Sequence, residues 1–139
     1  MFELFEHRAD VGVRGVGKSM EEAFAECAKA MFSVMVDLGK VRAKGKDSLE
    51  VEAQNLEELL VAFLNHLLYL HDVRGKAYNR FSLYITNDSG KWLLKGEAFG
   101  EKIDAKRHGI KSDVKAASFH QLRVAEENGR WVAQCVVDV

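Results

Sequence analysis

The chain has 139 residues, a formal net charge of -1, 47% hydrophobic and 29% charged residues, and only two cysteines. That size can bury a core without disulfide staples and predicts one domain over residues 1–139. No apolar run approaches the roughly 20 residues that cross a bilayer, and the near-neutral charge lacks the basic surplus that gripping a nucleic-acid backbone requires, so neither a membrane role nor direct RNA binding is expected. Cys27 and Cys135 make no disulfide framework, and Met1-Phe2-Glu3-Leu4-Phe5-Glu6 lacks the features of a secretory leader, which together predict a reducing, cytoplasmic setting.

Strands are predicted over residues 2–6 and 11–16, separated by a turn at residues 7–10. Ser19 with Glu22 forms an S-x-x-E capping box, and Met20, Ala23, Phe24, Cys27, Ala28, Met31, Phe32 and Met35 recur at helical spacing, with Gly39 as the expected stop. Leu49, Val51 and Ala53 alternate with Glu50 and Glu52 as in a half-buried strand. Asn55 and Glu58 then open a second helix, whose Leu56, Leu59, Leu60, Phe63, Leu64, Leu67 and Leu68 form a broad apolar face.

From residue 77 the pattern becomes strands. Asn87-Asp88-Ser89-Gly90 turns one strand into residues 91–99, residues 100–112 form the longest irregular loop, and residues 113–125 and 130–139 pair about a type I′ turn at Asn128-Gly129. Two helices among hairpins predict an α+β fold of about seven mostly antiparallel strands with two amphipathic helices, in a layer order the pattern leaves open.

Gly12-Val13-Arg14-Gly15-Val16-Gly17-Lys18-Ser19 matches the phosphate-loop pattern, in which Lys18 would reach phosphate oxygens and Ser19 would hold magnesium. This makes a nucleotide hydrolase the competing reading. Phosphate-loop domains use successive βαβ units, whereas the second half of this chain reads as hairpins, and Ser19 already has a sufficient role as a helix cap.

The closing Val136-Val137-Asp138-Val139 places an aspartate next to the last residue, and Glu6-His7-Arg8-Ala9-Asp10 puts further carboxylates and a histidine in the first turn. Brought together, such oxygen-rich groups suit a hard divalent cation, because calcium and magnesium prefer carboxylate and carbonyl oxygens.

Glu6-His7-Arg8-Ala9-Asp10-Val11-Gly12, Gly17-Lys18-Ser19-Met20-Glu21-Glu22-Ala23-Phe24, Leu64-Asn65-His66-Leu67-Leu68-Tyr69, Val114-Lys115-Ala116 and Asp138-Val139 together resemble the archease family over essentially the whole chain. The resemblance implies a non-enzymatic accessory protein with a chaperone-like fold, filling the chain as a single archease domain. It would activate the RNA-splicing ligase of the RtcB type by promoting its guanylylation and turnover, with modulation of a tRNA methyltransferase, or a general chaperone role, as further possibilities.

By position the resemblance also implies a metal site of Asp10, Asp138 and Val139, holding calcium, with magnesium or manganese as alternatives. His7 and Arg8 would stand beside it, and His108 and Lys115 would contact the partner. Some positions depart from the family pattern: Arg8 replaces a frequent threonine, Ala105 a frequent proline, and Ser118-Phe119-His120 a threonine-tyrosine-histidine. A guanidinium at Arg8 can pair with the carboxylates and compete with an ion.

Overall fold

A computed structural model describes residues 1–7 and 9–139; Arg8, with the expectation attached to it, lies outside the described residues. In chain order the elements are β1 (Phe2–His7), β2 (Asp10–Gly17), α1 (Met20–Met35), a 3-10 turn (Leu38–Lys40), β3 (Gly45–Ala53), α2 (Leu56–Arg74), β4 (Lys76–Asp88), β5 (Lys91–Lys102), α3 (Ala105–His108), β6 (Ala116–Ala117), β7 (Arg123–Glu127) and β8 (Arg130–Asp138). The fold is α+β, with eight strands among the described residues rather than about seven, and a short third helix.

The strands form two antiparallel sheets. One runs β1-β2-β8, with β6 and β7 sharing the far edge of β8; the other is β3-β5-β4. Both helices touch both sheets, α1 through β2, β8 and β4, and α2 through β3, β5, β6 and β7. This resolves the layer order and explains the apolar excess in the helices, since an element wedged between two sheets needs apolar cover on more than one side. Ala23, Phe24, Cys27, Ala28, Met31 and Phe32 of α1 and Leu59, Leu60, Phe63, Leu64 and Leu67 of α2 are all fully buried.

Local chemistry sets the element ends. The Ser19 hydroxyl accepts from the Glu22 amide at 3.1 Å, and Asn55 Oδ1 accepts from the Glu58 amide at 2.8 Å, as both sequence patterns predict. The Ser89-Gly90 and Asn128-Gly129 turns take positive φ at both residues (54° and 84°; 52° and 79°), the geometry of type I′ hairpins. Gly15 has a different purpose: an added Cβ would lie 2.1 Å from the Ala23 carbonyl oxygen and 2.3 Å from the Cys27 nitrogen, so its bare backbone is what lets α1 seat on β2.

Three expectations are corrected. Gly39 does not stop α1, which ends at Met35; the Lys111 and Ser112 amides bond the Met35 and Val34 carbonyls, so a distant loop satisfies its last turn. The strand expected over 113–125 is broken into β6 and β7 because residues 118–122 bulge, the Ser118 amide and the His120 carbonyl both bonding Val136, with Gln121 at φ 52°. The loop expected over 100–112 is shorter, since β5 continues to Lys102 and Asp104 caps α3.

Candidate functional site

The register of the larger sheet assembles the first-turn and C-terminal residues. His7 pairs with Asp10 across β1 and β2, Val11 pairs with Val137 across β2 and β8, and Asp138 pairs with Ala116 across β8 and β6. One step beyond Val11 and Val137 sets Asp10 against Asp138, so His7, Asp10, Asp138 and Ala116 form a transverse row over four strands. Cross-strand partners share a face, and alternation puts that face opposite Val13, Cys135 and Val137, which pack toward α1. Asp10 and Asp138 therefore project together from the outer face, with Cβ atoms roughly 5 Å apart as for any such neighbours.

This arrangement is electrostatically unusual. Like charges directly opposite on a sheet destabilise it, yet neither carboxylate makes a side-chain hydrogen bond or ion pair with another described residue. Both are half-buried, while Val139 is 36% exposed. Nearby, the His7 and His120 rings face each other with centroids 5.7 Å apart, and His7 Nδ1 is buried with no partner among the described residues. Glu6 points the other way, opposite Val11, and does not join the row. Among the described residues no group of three or more His, Cys, Asp or Glu side chains is arranged to hold an ion. Two carboxylates alone are an incomplete donor set for calcium, which takes six to eight oxygens, so further donors such as a backbone oxygen of Val139, waters or a partner's groups must complete it.

Lys115 stands beside the row. Its amide donates to the Asp138 carbonyl at 2.8 Å and its side chain is exposed. His108, expected as a partner contact, is instead fully buried and therefore unavailable to one. Its Nδ1 accepts from the Asp104 amide at 2.8 Å, which leaves Nε2 as the protonated nitrogen, donating to Glu101 at 2.9 Å. Glu101 also accepts from the Arg42 amide at 2.8 Å and pairs with Arg107. The Arg107 guanidinium foremost, aided by His108 and the Arg42 amide and opposed by burial, pulls the Glu101 carboxyl down to about 2.

Asp47 is a second buried carboxylate with several partners. It takes Tyr78 Oη at 2.7 Å, Arg74 at 3.0 Å and Lys76 at 3.1 Å. Burial pushes its carboxyl up, but Tyr78, Lys76 and Arg74 together outweigh burial and hold it below its usual range. The Tyr78 hydroxyl is pushed up by burial and by Asp47, against a smaller downward pull from Arg74. Sequence reading missed both carboxylates: the partners of Asp47 lie in α2 and β4, and Glu101, though close in sequence to Arg107 and His108, is joined to them only by the chain reversal between β5 and α3. Cys27 and Cys135 are fully buried free thiols in the core, and the Cys135 thiol together with burial raises Cys27.

The phosphate-loop match has no loop. Residues 12–17 are β2, laddered to β1 and β8 on both edges, so their amides serve the sheet. The Phe5 ring fills the space beside Gly12, α1 fills that beside Gly15, and the Glu22 side chain that beside Gly17. The Lys18 amide already donates to the Glu22 carboxylate at 3.3 Å, which puts a negative charge where the pattern would need phosphate.

Comparison with known proteins agrees with the sequence blocks. The profile of the Archease protein family (MTH1598/TM1083) matches residues 2–139. The chain is 43% identical over 139 residues to the protein archease of Pyrococcus furiosus, covering 99% of this chain and 98% of that one. It is 34% identical over 138 residues to the protein archease of Methanopyrus kandleri, covering 99% of each. The solution structure of Methanobacterium thermoautotrophicum protein 1598 superposes with a TM-score of 0.85 at 32% identity, over 99% of this chain and 98% of that one. The crystal structure of an archease from Thermotoga maritima, described as a possible chaperone, shares the fold at a TM-score of 0.60 and 16% identity, over 100% and 98%. The chain belongs to the archease family.

Proposed function

We propose that this archease-family chain is an accessory protein that activates an RNA-splicing ligase of the RtcB type, promoting its guanylylation and turnover through the acidic tip of Asp10, Asp138 and Val139. The observation that supports this reading most directly is the row in which two carboxylates stand side by side without a cationic partner among the described residues. The tip's oxygen donors fit a hard divalent ion, calcium first and magnesium or manganese next. Such an ion, when bound, supplies positive charge where phosphoryl chemistry develops negative charge.

The chain's own residues then have distinct tasks. Asp10 and Asp138 offer oxygens from two adjacent strands, and their backbone is fixed by neighbours on either side. Exposed Lys115 is available to a partner's anionic groups, and His7 lines the same face. This needs no nucleophile and base pair in the accessory protein, in keeping with a non-enzymatic role. An incomplete donor set is also what a site shared between two proteins requires. The test is reconstitution with the cognate ligase. Asp10→Asn and Asp138→Asn are expected to abolish stimulation of ligase guanylylation while remaining folded, and full stimulation by folded variants would refute the role of the tip.

The description of the Thermotoga maritima relative as a possible chaperone favours a second reading, a general chaperone; modulation of a tRNA methyltransferase is a variant of it that rests on the family resemblance alone. That reading requires suppression of aggregation by unrelated clients or stimulation of the methyltransferase. A dedicated activator acts on its ligase alone.

A further inference from the structure

β6 has only two residues, far too few to hold itself on a sheet edge. On its inner side the Lys115 amide bonds the Asp138 carbonyl at 2.8 Å and the Ser118 amide bonds the Val136 carbonyl at 2.9 Å. Antiparallel alternation then turns the Ala117 amide and carbonyl outward, away from β8. Ala117 is only 6% exposed, so both groups need partners within the protein. They find them in one side chain of α2: the Ala117 amide donates to Asn65 Oδ1 at 2.8 Å, and Asn65 Nδ2 donates to the Ala117 carbonyl at 3.4 Å. The carboxamide presents the donor and acceptor that a further strand would present.

The consequence reaches the tip. Asp138 lies between β2 on one side and β6 on the other, and β6 is anchored to the rest of the protein through Asn65. Lys115 adjoins the same two-residue strand. We propose that Asn65 is a positioning residue for the acidic tip: by standing in for a missing strand, it holds β6 against β8 and so fixes the Asp138 backbone and the placement of Lys115. This rests on the reading of the tip as a cation site. An asparagine suits the position because its amide sets an accepting oxygen beside a donating nitrogen, matching the two backbone groups. A leucine would leave both unsatisfied, and an aspartate would keep only the acceptor.

The experiment compares wild type, Asn65→Ala and Asn65→Asp by two independent readouts: calorimetric titration with Ca²⁺ alone, and amide chemical shifts and hydrogen exchange at Lys115, Ala117 and Asp138. Asn65→Ala is expected to speed exchange at Ala117 by at least about tenfold, shift the Lys115 and Asp138 amides, and weaken Ca²⁺ about tenfold, the usual scale for losing a group that orients a ligand. Asn65→Asp, which retains the shorter bond, is expected to recover most of the protection and affinity. Unchanged Ca²⁺ affinity in a folded Asn65→Ala, with the loss confined to thermal stability, overturns the proposal. If wild type binds no Ca²⁺, the cation reading fails, and positioning is then judged on the amides: unshifted Lys115 and Asp138 in the variants overturn it. Should Asn65→Ala not fold, Asn65→Asp decides, since loss of all Ca²⁺ binding despite recovered Ala117 protection contradicts the mechanism.

Discussion

Two pairs of carboxylates in this protein are treated in opposite ways. Asp47 and Glu101 lie at one end of the smaller sheet, are 7% and 8% exposed, and are surrounded by donors. Asp10 and Asp138 lie at the end of the larger sheet, are half-buried, and face each other with no such donors among the described residues. The first pair has the chemistry of a structural joint: charge is removed from water and compensated on the spot. Among the described residues the second pair leaves its lone pairs unclaimed and sets like charges side by side, as the proposed cation site requires. Burial alone would have ranked the joints above the tip as functional candidates; counting partners reverses the order.

The largest expected effect falls on the joint. Asp47→Ala leaves Lys76 and the Tyr78 hydroxyl without their acceptor and is expected to cost about 2–4 kcal/mol, at the lower end for a broken buried pair because Arg74 reaches solvent. Thermal melting should show a fall on the order of 10 °C. A loss under about 0.5 kcal/mol would erase the contrast between the two pairs.

The tip predicts the opposite sign. Asp10→Asn or Asp138→Asn should leave the ion-free melting temperature unchanged or slightly higher, because a like-charge pair is relieved. Calcium at a hundredfold excess over its Kd should stabilise wild type by about 2.7 kcal/mol and neither variant. A melting curve of wild type that ignores Ca²⁺, Mg²⁺ and Mn²⁺ alike would count against the tip as a cation site.

The acid limb separates the pairs next. Glu101 titrates near 2 in the folded protein and near 4.5 when unfolded. Because its folded value is depressed, its contribution is complete above about pH 4.5 and is lost as the pH falls toward 2. Asp47, also depressed, acts in the same direction. Denaturant unfolding at stepped pH should therefore show stability falling over that window, and Glu101→Gln should flatten part of the fall. An identical pH profile in the variant would deny Glu101 this role. The smallest effect is expected at Lys18→Ala, within about 0.5 kcal/mol as for an ordinary surface change, with no ATP or GTP binding lost because none is expected in wild type; micromolar nucleotide binding by wild type that vanishes in the variant would revive the phosphate-loop reading.

Local signals in the sequence proved the most legible. Ser19 and Asn55 cap as their spacing predicts, and Asn128-Gly129 turns as its positive φ preference demands. Gly39 misled because the end of α1 is set by amides from residues 111 and 112, seventy and more positions away. His108 misled similarly: in sequence it is a histidine in a polar stretch, and only the return of Glu101 beneath it makes it a core residue. Asp10 and Asp138 could be named as a pair from the family blocks, but their adjacency depends on the β2 and β8 register. Asn65 left a faint mark, a poor helix former amid an apolar run, and its use became visible only once β6 was placed.

The position of β8 has a consequence for how the protein comes to exist. The larger sheet is closed by its first hairpin pairing with its last strand, Val11 against Val137, so its centre is a contact of very high sequence separation. On a ribosome, β2 and α1 emerge early and must wait for β8 while the smaller sheet, whose strands all lie between Gly45 and Lys102, can already form. Asp138 belongs to β8 and meets Asp10 only through that late pairing. The acidic tip is therefore assembled when β8 joins β2, with both sheets already behind it.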